Sequence, residues 1–113
     1  MDASIDDILS FVRLYLSLST QQSKTFLVHI TRKQCDILRQ LTYNLLKNSS
    51  FSFSDNEKDY LRRHIRVLRL LASRRICLSD KKSILSRKSA LVRRIANIAL
   101  PFLQGLKQDN DTE

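Results

Sequence analysis

Arginine carries most of the chemical potential of this sequence. Arg62, Arg66 and Arg69 recur at spacings of four and three residues, with Lys58 a turn before them and Arg63 at their flank. Residues three and four apart share a helix face, so the spacing predicts a row of guanidiniums along one side of a helix. A guanidinium offers a phosphate two parallel hydrogen bonds, a geometry that a lysine ammonium does not supply. Arg74 and Arg75 close the same segment, and Lys81, Lys82, Arg87, Arg93 and Arg94 extend the supply of cations. The chemistry expected of the eleven from Arg62 to Arg94 is binding to an anionic polymer, above all the backbone of double-stranded DNA. The plainer alternative is a solvated face that only keeps the protein soluble. Against it stands the shortage of acids: residues 54–107 hold fourteen basic side chains and only Asp55, Glu57, Asp59 and Asp80 to offset them. A surface built for solubility mixes both signs.

The remaining reactive side chains point away from catalysis. A single glycine rules out a glycine-rich phosphate loop. His64 falls within an apolar helical face, where a histidine is more often a packed residue than a base, and no nucleophile is spaced to partner it. Cys35 and Cys77 lie far apart, and His29 and His64 sit at no useful spacing from them, so no zinc set forms. Both cysteines read as small core residues in a reducing compartment. Asp6 and Asp7 look like helix-start charges rather than a metal-binding pair. A non-enzyme with no cofactor and no metal is expected. Asn and Gln, which read base edges, are missing from the basic face of 55–73, so backbone contacts independent of sequence are favoured over specific readout.

The elements that must hold these cations are helical. One glycine and one proline in 113 residues leave little material for hairpins. Four capping boxes mark helix starts, each pairing a hydroxyl with an acid or amide three residues later. They are Ser4 with Asp7, Ser19 with Gln22, Thr31 with Gln34, and Ser54 with Glu57. Ser79-Asp80 and Ser89 are simpler cap candidates. Apolar periodicity then predicts helices over about 5–18, 20–29, 32–47, 55–73, 80–87 and 90–103. The class is all-α, a compact single-domain bundle of five or six short helices.

In the helix over 55–73, Tyr60, Leu61, His64, Ile65, Val67, Leu68, Leu71 and Ala72 form one broad apolar arc opposite the arginines. Phe53, just before the Ser54 cap, is placed for a hydrophobic staple. The last helix faces inward with Leu91, Ile95, Ile98 and Phe102 and outward with Arg93, Arg94 and Asn97. Pro101 should bend or loosen its final turn, with Gln104-Gly105 ending it. Helix-turn-helix pairing of 32–47 with 55–73, or of the last two helices, lacks the usual glycine in the turn.

Domain organisation follows. Residues 1–107 form the bundle, with the basic patch concentrated in 54–107, and the acidic tail 108–113 is expected to be disordered. The first helix is apolar over an unusually wide face, so Phe11 and Tyr15 belong either to the core or to a homo-oligomer contact. An interaction module docking an acidic partner, such as a capsid or scaffold protein, is the main rival to nucleic-acid binding. Binding of the last amphipathic helix to a membrane surface is a further rival, ranked lower because that apolar face can close the bundle. Acidic residues at the start argue against a secretory leader, and no apolar run approaches a membrane span. The nucleus, a virion interior or otherwise the cytoplasm is expected.

From Thr31 onward a larger pattern is visible. Gln34 and Leu41-Thr42-Tyr43-Asn44-Leu45-Leu46 precede Ser54-x-x-Glu57-Lys58-x-Tyr60-Leu61-Arg62-Arg63-His64. Leu70-Leu71-Ala72-Ser73-Arg74-Arg75-Ile76, Ser79-x-Lys81-Lys82 and Ala99-Leu100-Pro101-Phe102-Leu103 follow. This resembles the short basic helical proteins of invertebrate virus-like mobile elements of the Polinton and adintovirus kind, which are likened to adenovirus core proteins. The resemblance covers about the last two thirds of the chain. Its acidic end differs from the glycine-rich apolar tail of many such proteins. It implies a virion-associated protein in contact with packaged DNA, with Arg62, Arg63, Arg66, Arg69, Arg74 and Arg75 matching the family's basic stretch.

Overall fold

Each capping box closes as its residues dictate. In the computed structural model of the chain, which describes residues 3–47 and 53–107 and the backbone of 108–111, all four pairs make both reciprocal bonds. Ser4 and Asp7 start α1 (Ile5–Ser17), and Ser19 and Gln22 start α2 (Thr20–Val28). Thr31 and Gln34 exchange bonds of 3.0 and 3.1 Å ahead of α3 (Arg32–Lys47). Ser54 and Glu57 do the same at 2.8 and 3.2 Å ahead of α4 (Asp55–Arg63). The remaining elements are α5 (Ile65–Ala72), α6 (Leu78–Ser86) and α7 (Ser89–Asp111). Among the described residues every regular element is an α-helix, seven in all rather than five or six.

The extra helix comes from a break at His64. The helix expected over 55–73 is two, α4 and α5, because His64 leaves helical geometry at φ −107° and ψ 17°. Its N–H turns to the Leu61 carbonyl at 3.3 Å, closing a three-residue turn tighter than the regular four-residue ladder. The two halves answer to different neighbours. α5 lies along α3, while Tyr60 of α4 sits beneath Arg94 of α7 and Phe53 meets Phe102 of α7 edge-on at 6.0 Å. A straight helix would have to give up one of these sets, and histidine is a weak helix former at the point of compromise. Phe53 thus anchors the entry to α4 on α7 rather than within its own helix, whose fourth residue is Lys58.

The core is assembled from three helix pairs: α1 with α7, α3 with α5, and α2 with α6. Val12, Tyr15, Leu27, Leu85, Ile95 and Ala99 are completely buried where these pairs meet. The width of the α1 face is explained inside the chain. Phe11 and Tyr15 are buried and form an aromatic cluster with Phe26 of α2, with ring centroids 6.0–6.5 Å apart. Such pairs add about 0.5–1.5 kcal/mol each beyond the area they bury. The Tyr15 hydroxyl donates to the Ser89 carbonyl at 2.9 Å, so it pins the start of α7 onto α1.

Several boundaries depart from expectation. α6 starts at Leu78 with Cys77 as its N-cap, not with Ser79-Asp80, and Ser89 is the first residue of α7 rather than its cap. Cys77 is therefore exposed, and only Cys35 is a core cysteine; both are free thiols. α7 runs past Pro101 and Gly105 to Asp111. Contacts beyond the proline sustain it, since Leu103 is buried and Lys107 pairs with Asp6 of α1. The backbone of the expected tail is thus helical as far as Asp111, and residues 112–113 lie outside the described part. So do residues 48–52.

Candidate nucleic-acid interface

The cations of residues 54–107 are held by four helices and the connections between them. Arg62 and Arg63 end α4, Arg66 and Arg69 lie on α5, and Arg74 and Arg75 occupy the connection to α6. All six are exposed, as are Arg87 and Arg94. The break at His64 replaces the single straight row with two shorter ones. Lys58 and Arg62 share a face of α4, and Arg66 and Arg69 share a face of α5. The expected apolar arc survives the break, with Leu61, Leu68 and Leu71 buried and Tyr60, His64, Ile65, Val67 and Ala72 half-buried. The His64 ring lies 4.6 Å from that of Tyr60, centre to centre, which makes it a packing residue.

The disposition of the acids decides how much of this charge is neutralised. Asp55 and Glu57 sit in the first turn of α4, and Asp80 in the first turn of α6, where the helix dipole favours negative charge. Glu57 is further committed to its capping box. Of these four acids Asp59 alone comes within ion-pair distance of an arginine, at 3.6 Å from Arg62, and both side chains are largely exposed; Asp36 of α3 acts on Arg74 at longer range. An exposed pair of that length is worth little. Among the described residues no other ion pair engages any of the eleven expected binding residues.

Three of those eleven are not simple surface cations. Arg93, expected to face outward, leans over the Tyr15 ring at 5.4 Å and donates to the Leu18 carbonyl at 2.8 Å and the Leu16 carbonyl at 3.4 Å. It closes the C-terminal end of α1, where unpaired carbonyls attract a cation. Lys82 is half-buried, and Lys81 is buried outright, 6% exposed. Desolvation pulls the Lys81 ammonium below the usual lysine range, partly offset by Cys35 and helped by the Arg39 charge.

Arg32 and Arg39 of α3 went unnoticed in the sequence. They line a cavity of about 270 Å³ together with Arg74 and Lys81. A second concavity of about 370 Å³ shares Arg39 and Arg74 and adds Gln40, Tyr43, Asn44 and Ala72. The signal was weak because the first half of the chain is nearly balanced in charge, so its arginines did not stand out. Comparisons with protein-family models, curated proteins and solved structures found no match.

Elsewhere the geometry offers less. Among the described residues no group of three or more His, Cys, Asp or Glu side chains could hold a metal ion. No described helix is long and apolar enough to cross a membrane. The apolar face of α7 is packed inside the bundle through Leu91, Val92, Ile95, Ile98 and Leu103, which leaves Leu106 as its exposed large apolar side chain.

Proposed function

We propose that this protein binds the backbone of nucleic acid, double-stranded DNA first, without reading its sequence and without catalysis. One observation carries the reading: in residues 54–107 eight of the nine arginines are exposed while three of the four acids are committed to helix N-termini. The positive field is left standing, and a field of that kind attracts polyanions. Arg62, Arg63, Arg66, Arg69, Arg74 and Arg75, with Arg87 and Arg94, are the contacts to phosphate. The resemblance to basic proteins of virus-like mobile elements fits the same role, that of a virion core protein in the virion interior or the nucleus.

Duplexes of unrelated sequence are expected to bind within a few-fold of one another. The triple variant Arg62→Gln, Arg66→Gln, Arg69→Gln should weaken all of them alike and lower the salt slope by about 3, since each lost phosphate contact removes about 0.9. A strong preference for one sequence, or full affinity in the triple variant, would overturn the reading. The rival in which an acidic protein occupies the same face predicts that such a partner, and not DNA, is lost from the triple variant.

A further inference from the structure

We propose that the cavity between α3 and the start of α6 is a binding site for a phosphoryl group, with Lys81 at its centre and Arg32, Arg39 and Arg74 around it. The site goes beyond duplex binding and shares only Arg74 with the surface assigned to it.

Lys81 is the first reason. It is 6% exposed, and among the described residues its ammonium makes no hydrogen bond. Every fully enclosed side-chain nitrogen or oxygen among those residues does have a partner, so the ammonium opens on the cavity it lines. An ammonium with so little access to water and no protein partner is costlier to keep charged than an exposed one, and an anion in the cavity would supply the missing partner.

Arg39 is the second. It is 8% exposed and gives its Nε to Asp36 Oδ1 at 2.9 Å, which leaves its terminal nitrogens for a ligand. Asp36 is the one acid on the cavity wall, and its other oxygen already accepts from Gln40 Nε2 at 3.2 Å. The bond from Arg39, more than any other influence, holds the Asp36 carboxyl below the usual carboxylate range. Four cations therefore face one carboxylate whose oxygens are both engaged.

The backbone adds to the field. Leu78 opens α6 on the cavity wall, and its N-cap Cys77 offers no side-chain bond to the first-turn amides. Amides at a helix start favour an anion, here beside the Asp80 carboxylate of the same turn. Forked guanidiniums beside an ammonium suit a tetrahedral anion with three accepting oxygens. The neighbouring concavity, reached past Arg39 and Arg74, gives room for what the phosphate is attached to. Tyr43, 48% exposed there, offers a ring on which a base can stack. The ligand is thus a phosphomonoester or free phosphate.

The test is an amide NMR titration of the full chain at constant ionic strength. The probes are inorganic phosphate and a short single strand carrying either a 5′-phosphate or a 5′-hydroxyl. Saturable shifts should centre on Arg32, Arg39, Arg74, Lys81 and the first turn of α6. The 5′-phosphate strand should bind at least about tenfold more tightly than the 5′-hydroxyl strand, as charged hydrogen bonds lost from one end imply. Saturation by inorganic phosphate with no preference for the 5′-phosphate would keep the site and assign it to the free anion. Lys81→Met should abolish the shifts, and Arg74→Gln, an exposed change, should weaken them should Lys81→Met prove misfolded. The triple variant of Arg62, Arg66 and Arg69 should bind phosphate normally, so this site and the duplex surface fail independently. No saturation by any probe, or undiminished binding by folded Lys81→Met or by Arg74→Gln, would overturn the proposal.

Discussion

Lys81 and Arg93 show how differently two basic residues act once folded. Lys81 has a depressed pKa in the native state, so the unfolded chain holds its proton more firmly. Stability therefore rises as the pH climbs from the native lysine value toward the unfolded one near 10.4, the window in which the unfolded chain binds more protons. At neutral pH the burial penalty is present in full. Lys81→Met should then raise Tm at pH 7, with the gain shrinking in alkaline buffer; a lower Tm would mean the ammonium is stabilised by something else. Arg93 is the opposite case. Arg93→Met removes two charge-assisted bonds to the end of α1 and should cost about 2 kcal/mol in urea unfolding, with little change in duplex affinity. Both residues counted among the sequence's binding candidates because composition shows charge and not direction. Arg93 flanks the buried face of α7, where only packing against α1 decides which way it faces; Lys81, three residues after Leu78 and four before Leu85, lies on the buried face of α6, a position that periodicity alone marks.

At the level of elements, capping chemistry was the most legible part of the chain. Four boxes were visible as residue spacings and all four formed, because the bonds involve atoms only three residues apart and need no tertiary partner. Ser54→Ala should cost about 1 kcal/mol by denaturant melt through loss of the α4 cap. Helix ends set by distant contacts were not legible. Nothing local marks His64 as a break, since it depends on α3 drawing α5 one way and α7 drawing Tyr60 another. Pro101 and Gly105 likewise promised an end that Leu103 and the Lys107–Asp6 pair override. Gly105 now sits inside a helix without positive φ, and a Cβ there would meet no atom within 4 Å. Gly105→Ala should therefore stabilise the protein by about 0.5–1 kcal/mol, readable as a rise in Tm. Destabilisation would mean that the last turns of α7 are not helical in solution.

For the molecule as a whole, the asymmetry of charge was plain in the sequence, while its arrangement was not. A basic second half announced a polyanion-facing surface, yet the fold brings Arg32 and Arg39 from the first half against Arg74 and Lys81 from the second. That junction exists only because α3 packs against α5 and α6, which no local pattern encodes. The wide apolar face of α1 posed a choice between core and oligomer contact, and burial of Phe11 and Tyr15 answers it for those two side chains. What distinguishes residues 54–107 electrostatically is that three of their four acids serve helix starts and, among the described residues, only one of their nine arginines makes an ion pair. The most direct test is a fluorescence-anisotropy titration of a scrambled duplex across salt concentrations. With about six to ten phosphates neutralised, affinity should fall about 10³–10⁵-fold between 50 and 200 mM salt; weak binding that ignores salt would contradict the account.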